Sequence, residues 1–150
     1  MLSPSTLRQI AQHASATYPE EACGLLVEAG GAIVAAPCEN LADRLHLDDP
    51  VAHPRTARTA FVIHPAHILR AERDATLRGV YHSHCDAEDY FSQEDRLLAT
   101  MGLGEAAGPA FVGCDHLVVS VLKGQAVRAT LWSYSEETRR FEAAEVYASL

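Results

Sequence analysis

Val80-Tyr81-His82-Ser83-His84-Cys85, then a polar loop, then Ser92-Gln93-Glu94-Asp95: the reading of this chain turns on that stretch. Val80 to His84 is expected as a strand. Side chains of a strand alternate between its faces, so His82 and His84 project to one side and Ser83 to the other. Ser92-Gln93-Glu94-Asp95 reads as a helix start, with a serine cap and an acidic residue three positions on. On that first turn Ser92 and Asp95 are neighbours. Two neutral ring nitrogens and one carboxylate oxygen form a zinc set with three protein ligands. One coordination position is left for water, the pattern of a catalytic rather than a structural site.

Outward from this stretch, strands and helices alternate. Ser5 is expected to cap a helix running to about Tyr18, with Leu7, Ile10, Ala11 and Ala14 on one face and Pro19 helping to end it. Cys23 to Glu28 reads as a buried strand, Gly30-Gly31 as a hairpin turn, and Ala32 to Ala36 as the return strand. From Pro37 to Arg58 the pattern dissolves around Asp48-Asp49-Pro50 and His53-Pro54. So long a loop reads either as a flap over the site or as a plain surface excursion. Ala60 to Ile63 is expected as a short strand. Pro65 opens a helix to about Leu77, which Gly79 ends.

Downstream, the helix after Ser92 is expected to turn Leu97, Leu98 and Met101 to the core. Gly102, Gly104, Gly108 and Pro109 loosen the next connection. Leu117 to Leu122 and Ala126 to Tyr134 flank a turn at Gly124 as an antiparallel pair, and Phe141 to Val146 adds an edge strand. The expected fold class is α/β (α+β): a mixed β-sheet flanked by helices, in a single domain over residues 1–150.

Composition narrows the function classes. The chain has 150 residues, 48% of them hydrophobic and 21% charged, as in ordinary globular proteins. No apolar run is long enough to span a bilayer, and Met1-Leu2-Ser3-Pro4-Ser5 lacks the basic and apolar regions of a secretion signal. A cytoplasmic location is expected. The formal net charge of −8 speaks against a nucleic-acid partner, whose phosphates reward a basic face. Cys23, Cys38, Cys85 and Cys114 lack paired spacing and are expected as reduced thiols.

A hydrolytic zinc site needs a carboxylate to take a proton from water and hand it to the leaving amine. Glu20-Glu21-Ala22-Cys23-Gly24-Leu25-Leu26 offers one, because a glutamate just before a buried strand can point into a cleft. The alternative is that both glutamates lie in solvent.

His-x-His-x7-Ser-x-x-Asp, preceded by Glu-x-Cys-Gly-Leu-Leu, resembles the signature of the JAMM (MPN+) zinc metallopeptidases, above all their small single-domain bacterial members. The resemblance runs from about Tyr18 to Phe141 and includes the late Leu117-Val118-Val119-Ser120-Val121 strand and Leu131-Trp132. It implies a three-layer fold of the kind seen in cytidine deaminases, and one zinc ion per chain held by His82, His84 and Asp95. It implies Glu21, and not Glu20, as general acid and base. It also implies that Ser92 helps to hold the oxyanion, while Ser83 packs or hydrogen-bonds on the far face. Implied substrates are ubiquitin-like or sulfur-carrier proteins with an extended Gly-Gly type C-terminal tail, either processed or deconjugated. Small family members often carry proline after the second histidine; here it is Cys85, which reads either as a modulator of the metal or as a small residue tolerated in a loop.

Other readings carry less. His64-Pro65-Ala66-His67 pairs two imidazoles without a third ligand in sequence. A zinc deaminase expects His-x-Glu and Pro-Cys-x-x-Cys, and neither occurs. A cysteine nucleophile at Cys23 or Cys85 lacks a local signature. A non-catalytic scaffold of the same fold is the remaining alternative, since fold does not imply function. The oligomeric state is not legible.

Overall fold

In a computed structural model that describes residues 1–150, Ser3 rather than Ser5 caps the first helix. Its hydroxyl accepts from the Thr6 amide at 3.1 Å, and Pro4 takes the first helical position, where a missing N–H costs nothing. This helix, α1 (Pro4–Thr17), buries Thr6, Ile10 and Ala14 at helical spacing. Strands β1 (Cys23–Ala29) and β2 (Ala32–Cys38) form the hairpin about Gly30 and Gly31, both at positive φ. A short helix, α2 (Ala42–Asp48), and α3 (Pro65–Arg73) precede β3 (Leu77–Cys85). Then come α4 (Gln93–Ala99), a 3-10 turn at Glu105–Ala107, β4 (Asp115–Leu122), β5 (Gln125–Ser135) and β6 (Arg140–Tyr147).

The six strands form one sheet in the order β2-β1-β3-β4-β5-β6. Only β3 and β4 run parallel, and the segment containing α4 makes the crossover between them. Alternation along the strands sorts the side chains into two cores. Leu26, Tyr81, Leu117, Val119 and Val121 face α1 with Ile10 and Ala14. Cys23, Leu25 and Val80 face the other way and pack with Ala71 of α3. Val118 joins Phe91, Ala99 and Phe141 on that same side. The result is the expected mixed sheet between helices, in three layers. No helix is long and apolar enough to cross a membrane.

Four local expectations fail for identifiable reasons. Residues 60–63 form no strand, because their backbone is satisfied elsewhere. Val62 donates to the Asn40 side chain at 3.0 Å and its carbonyl accepts from Leu41 at 2.9 Å. The patternless 37–58 segment holds α2, whose first amide is taken by Asn40 Oδ1. The helix from Pro65 stops at Arg73, and Gly79 lies within β3. Glycine is required there by close packing: a Cβ would fall 2.6 Å from the Asp115 carbonyl oxygen of β4. Finally, α4 turns Asp95 and Ala99 inward, one helical turn apart, which leaves Leu97, Leu98 and Met101 exposed.

Candidate metal centre

Strand β3 delivers both imidazoles to the sheet face that α3 and α4 cover, at the carboxyl end of the strand. His82 is 1% exposed and His84 7%. The first turn of α4 brings Asp95 against them. The capping box fixes that turn: Asp95 N donates to Ser92 Oγ at 3.1 Å, while Ser92 N and Oγ donate to Asp95 Oδ2 at 2.9 and 2.7 Å. The helix start thus both caps the backbone and aims the carboxylate.

The three nearest donor-atom separations are 3.2 Å between the two Nε2 atoms, 3.3 Å from His82 Nε2 to Asp95 Oδ1, and 3.4 Å from His84 Nε2 to Asp95 Oδ2. Tetrahedral coordination at 2.0–2.1 Å puts ligand atoms about 3.3 Å apart, the spacing of the two Nε2 atoms; Asp95 turns one oxygen to each imidazole, and one ligand atom from each of the three residues lies within 4.8 Å of the others, so the group could hold an ion. No other group of three or more such side chains comes together in the protein. His84 Nδ1 donates to the Glu88 carbonyl at 2.9 Å, which turns its Nε2 lone pair to the centre. His82 Nδ1 is the one buried side-chain polar atom with no partner. The two Nε2 atoms face one another beside the carboxylate, an arrangement that a cation could bridge.

Burial lowers the pKa of His82. At His84 burial acts in the same direction, but hydrogen bonds to Asp95 and to the Glu88 carbonyl outweigh it and the net shift is upward. Burial would raise Asp95, yet hydrogen bonds from both imidazoles and Ser92 hold it well below the usual carboxylate range. The ligands therefore favour an ionised carboxylate beside neutral His82.

The family model for prokaryotic homologs of the JAB domain matches residues 3–134. The chain belongs to this family. It is similar in fold to a solution structure of a Desulfitobacterium hafniense protein, with a TM-score of 0.63 and 21% identity, covering 96% of this chain and 88% of that one. A solution structure from Salinibacter ruber gives a TM-score of 0.58 and 26% identity, covering 97% and 89%. No curated protein matches the chain.

Within this JAB domain, Glu21 lies just ahead of β1 and lines the same cleft as His84, Ser92 and Asp95, a cavity of about 630 Å³. Burial pushes Glu21 up to about 7, the nearby charges of His84 and Arg55 pulling the other way. Its backbone is clamped on both sides: the amide donates to the Ala57 carbonyl at 2.6 Å, and its carbonyl accepts from Asn40 Nδ2 at 2.9 Å. Glu20 is exposed, and its carbonyl accepts from the Cys85 thiol at 3.3 Å. Ser83 turns to the far face, as expected, and accepts from the Ala22 amide at 2.8 Å. Burial holds the Cys85 thiol up at about 11, so it borders the cleft protonated and outside the ligand trio. His64 caps α3 through Nδ1, and with His67 it remains a pair of rings without a third ligand.

Sequence reasoning missed Asn40 and Phe61, and it read the acidic loop Asp86 to Phe91 as a substrate contact or a solvated loop, whereas its Asp89 is buried. Asn40 ties Glu21, Ala42, Ala60 and Val62 together. Phe61 stacks on the His82 ring with centroids 4.3 Å apart and planes at 19°. Asp89, 6% exposed, accepts from Arg128 at 3.0 Å and from Thr130 at 2.5 Å, which pins the loop carrying the Glu88 carbonyl onto β5. The asparagine and the acidic loop carry no spacing signal, because their partners lie on other elements.

Proposed function

We propose that this chain is a zinc-dependent peptidase or isopeptidase. It hydrolyses an amide bond at the C-terminal tail of a ubiquitin-like or sulfur-carrier protein. The observation that carries this reading is the meeting of the buried His82, His84 and Asp95 group with buried Glu21, which lines one cleft with His84 and Asp95. A carboxylate placed there can accept a proton and hand it on. When bound, the ion would polarise the scissile carbonyl and acidify a water molecule.

The chain's own residues supply the rest. Glu21 accepts the proton of the attacking water on a carboxylate oxygen and returns it to the nitrogen of the departing amine. His82, His84 and Asp95 would hold the ion. Ser92 donates its hydroxyl to Asp95 in the resting site; rotation about χ1 would redirect it to the carbonyl oxygen as negative charge develops there. Leu97 and Leu98 line one side of the cleft, an apolar wall against which an extended tail without bulky side chains can lie.

The test is incubation of the zinc-loaded protein with carrier proteins bearing C-terminal extensions, read by intact mass. Cleavage directly after Gly-Gly is expected, lost on chelation. Glu21→Gln should lower turnover by roughly 10²–10⁴-fold with zinc retained; unchanged turnover overturns the role of Glu21. A metal-free, inert protein that still binds such carriers would make the domain a scaffold instead.

A further inference from the structure

Two exposed cations border the cleft. Arg55 and Arg58 line it together with Glu21, His84 and Asp95. Neither forms an ion pair, unlike Arg44, Arg73, Arg78, Arg96 and Arg128; Arg8, Arg70, Arg139 and Arg140 are also unpaired but do not line the cleft. Arg58 also borders a smaller hollow with Glu20 and Asp43, yet pairs with neither. Two unpaired guanidinium groups at the edge of one cleft, in a chain of formal net charge −8, are suited to receive an anion.

The segment that carries them is fastened to the catalytic glutamate. Ala57 lies between them in sequence and is 1% exposed. Its carbonyl accepts from the Glu21 amide at 2.6 Å, and its own amide donates to Asp43 Oδ1 at 2.6 Å. Arg55 Nη1 donates to the Thr59 carbonyl at 3.0 Å, which orients the side chain and leaves its other N–H groups free. The charge of Arg55 is felt at the Glu21 carboxylate. Both guanidinium groups thus spring from residues flanking a direct backbone contact with Glu21.

Substrate chemistry says which anion belongs there. On the acyl side of a scissile amide the terminal carboxyl is already spent in the bond. A free carboxylate close to that bond therefore comes from the leaving side, when the leaving group is a terminal amino acid or short extension. A lysine ε-amine leaving group brings no carboxylate so near. The planar guanidinium fork matches a carboxylate with paired hydrogen bonds.

We propose that Arg55 and Arg58 bind the α-carboxylate of a C-terminal residue on the leaving side, so that the site trims tails rather than opening lysine linkages. The proposal rests on the hydrolytic reading above. Water adds hydroxide to the acyl carbon, the C–N bond breaks, and the proton passes through Glu21 to the amine. The products are a carrier tail ending in a carboxylate and a free amino acid.

The experiment compares carrier tails ending Gly-Gly-X as free acid and as C-terminal amide, in two assays. In the zinc-loaded protein, kcat/KM should favour the acid by about tenfold or more, chiefly through KM. In Glu21→Gln, calorimetry should show the acid bound tighter by a similar factor. The double variant Arg55→Ala/Arg58→Ala should bring both ratios to about one, and Arg55→Lys/Arg58→Lys should restore part of them. Equal cleavage and equal binding of acid and amide, or ratios unchanged in the double alanine variant, overturn the carboxylate site while leaving the hydrolase standing. Acid-selective binding with no cleavage of any tail overturns the hydrolase and supports the carboxylate site.

Discussion

The two faces of the sheet use one strand in opposite ways. On the α1 face, β3 contributes Tyr81 and Ser83, both fully buried, to an apolar layer with Leu26, Leu117 and Val119. On the other face the same strand contributes His82 and His84, buried beside Asp95 and near Glu21. The first face excludes water to stabilise the fold, each fully buried leucine contributing about 1.5–3 kcal/mol. The second excludes water around polar groups, which costs stability unless those groups are paired or hold a cation. A strand's alternation lets an apolar core position a buried polar site directly across the backbone from it.

The largest expected effect breaks the stabilising face. Leu117→Ala, at a fully buried position, should cost about 2–5 kcal/mol in urea denaturation. A cost below about 1 kcal/mol would show that α1 is loosely packed.

Glu21→Gln sharpens the contrast from the other side, in metal-free protein. The folded pKa of about 7 lies above the ordinary 4.5. The ionised carboxylate therefore carries a penalty that is absent below pH 4.5, grows between these values and is complete above 7. The variant should gain up to about 3 kcal/mol over wild type at pH 8, with the gain shrinking as pH falls through 7 and gone near 4.5. A gain independent of pH would refute a buried titrating Glu21.

Asp89→Asn should loosen the loop behind His84 and weaken zinc affinity by about 10- to 100-fold, read by chelator competition. Unchanged affinity would show that the Glu88 carbonyl is held without the Arg128 and Thr130 bonds. Ser83→Ala leaves the Ala22 amide without its partner and should cost about 1–3 kcal/mol in stability while zinc affinity stays within twofold. Weakened zinc binding there would join the two faces that the structure separates.

Much of the fold was legible in sequence because it rests on local chemistry. The Gly30-Gly31 turn, the β4–β5 pair about Gly124 and the Ser92 capping box each need only neighbouring residues. The meeting of His82, His84 and Asp95, a group that could hold a metal, was legible for the same reason: period-two alternation and a helix's first turn fix where they point. The exposed face of α4 was not. Leu97, Leu98 and Met101 look like core residues until Asp95 has to reach the imidazoles, and that demand sets the rotation of the helix.

By itself the sequence determined the strand–loop–helix unit that carries the ligands, the hairpins around it and the family, because backbone sterics and short-range hydrogen bonds act within a few residues. Only the tertiary structure decided that Asn40 replaces a strand at 60–63, that Gly79 admits the Asp115 backbone, and that Ala57 ties the segment carrying Arg55 and Arg58 to Glu21. Those outcomes depend on which distant groups compete for the same hydrogen bond or the same space. Closure of the chain settles that competition, and no local pattern encodes it.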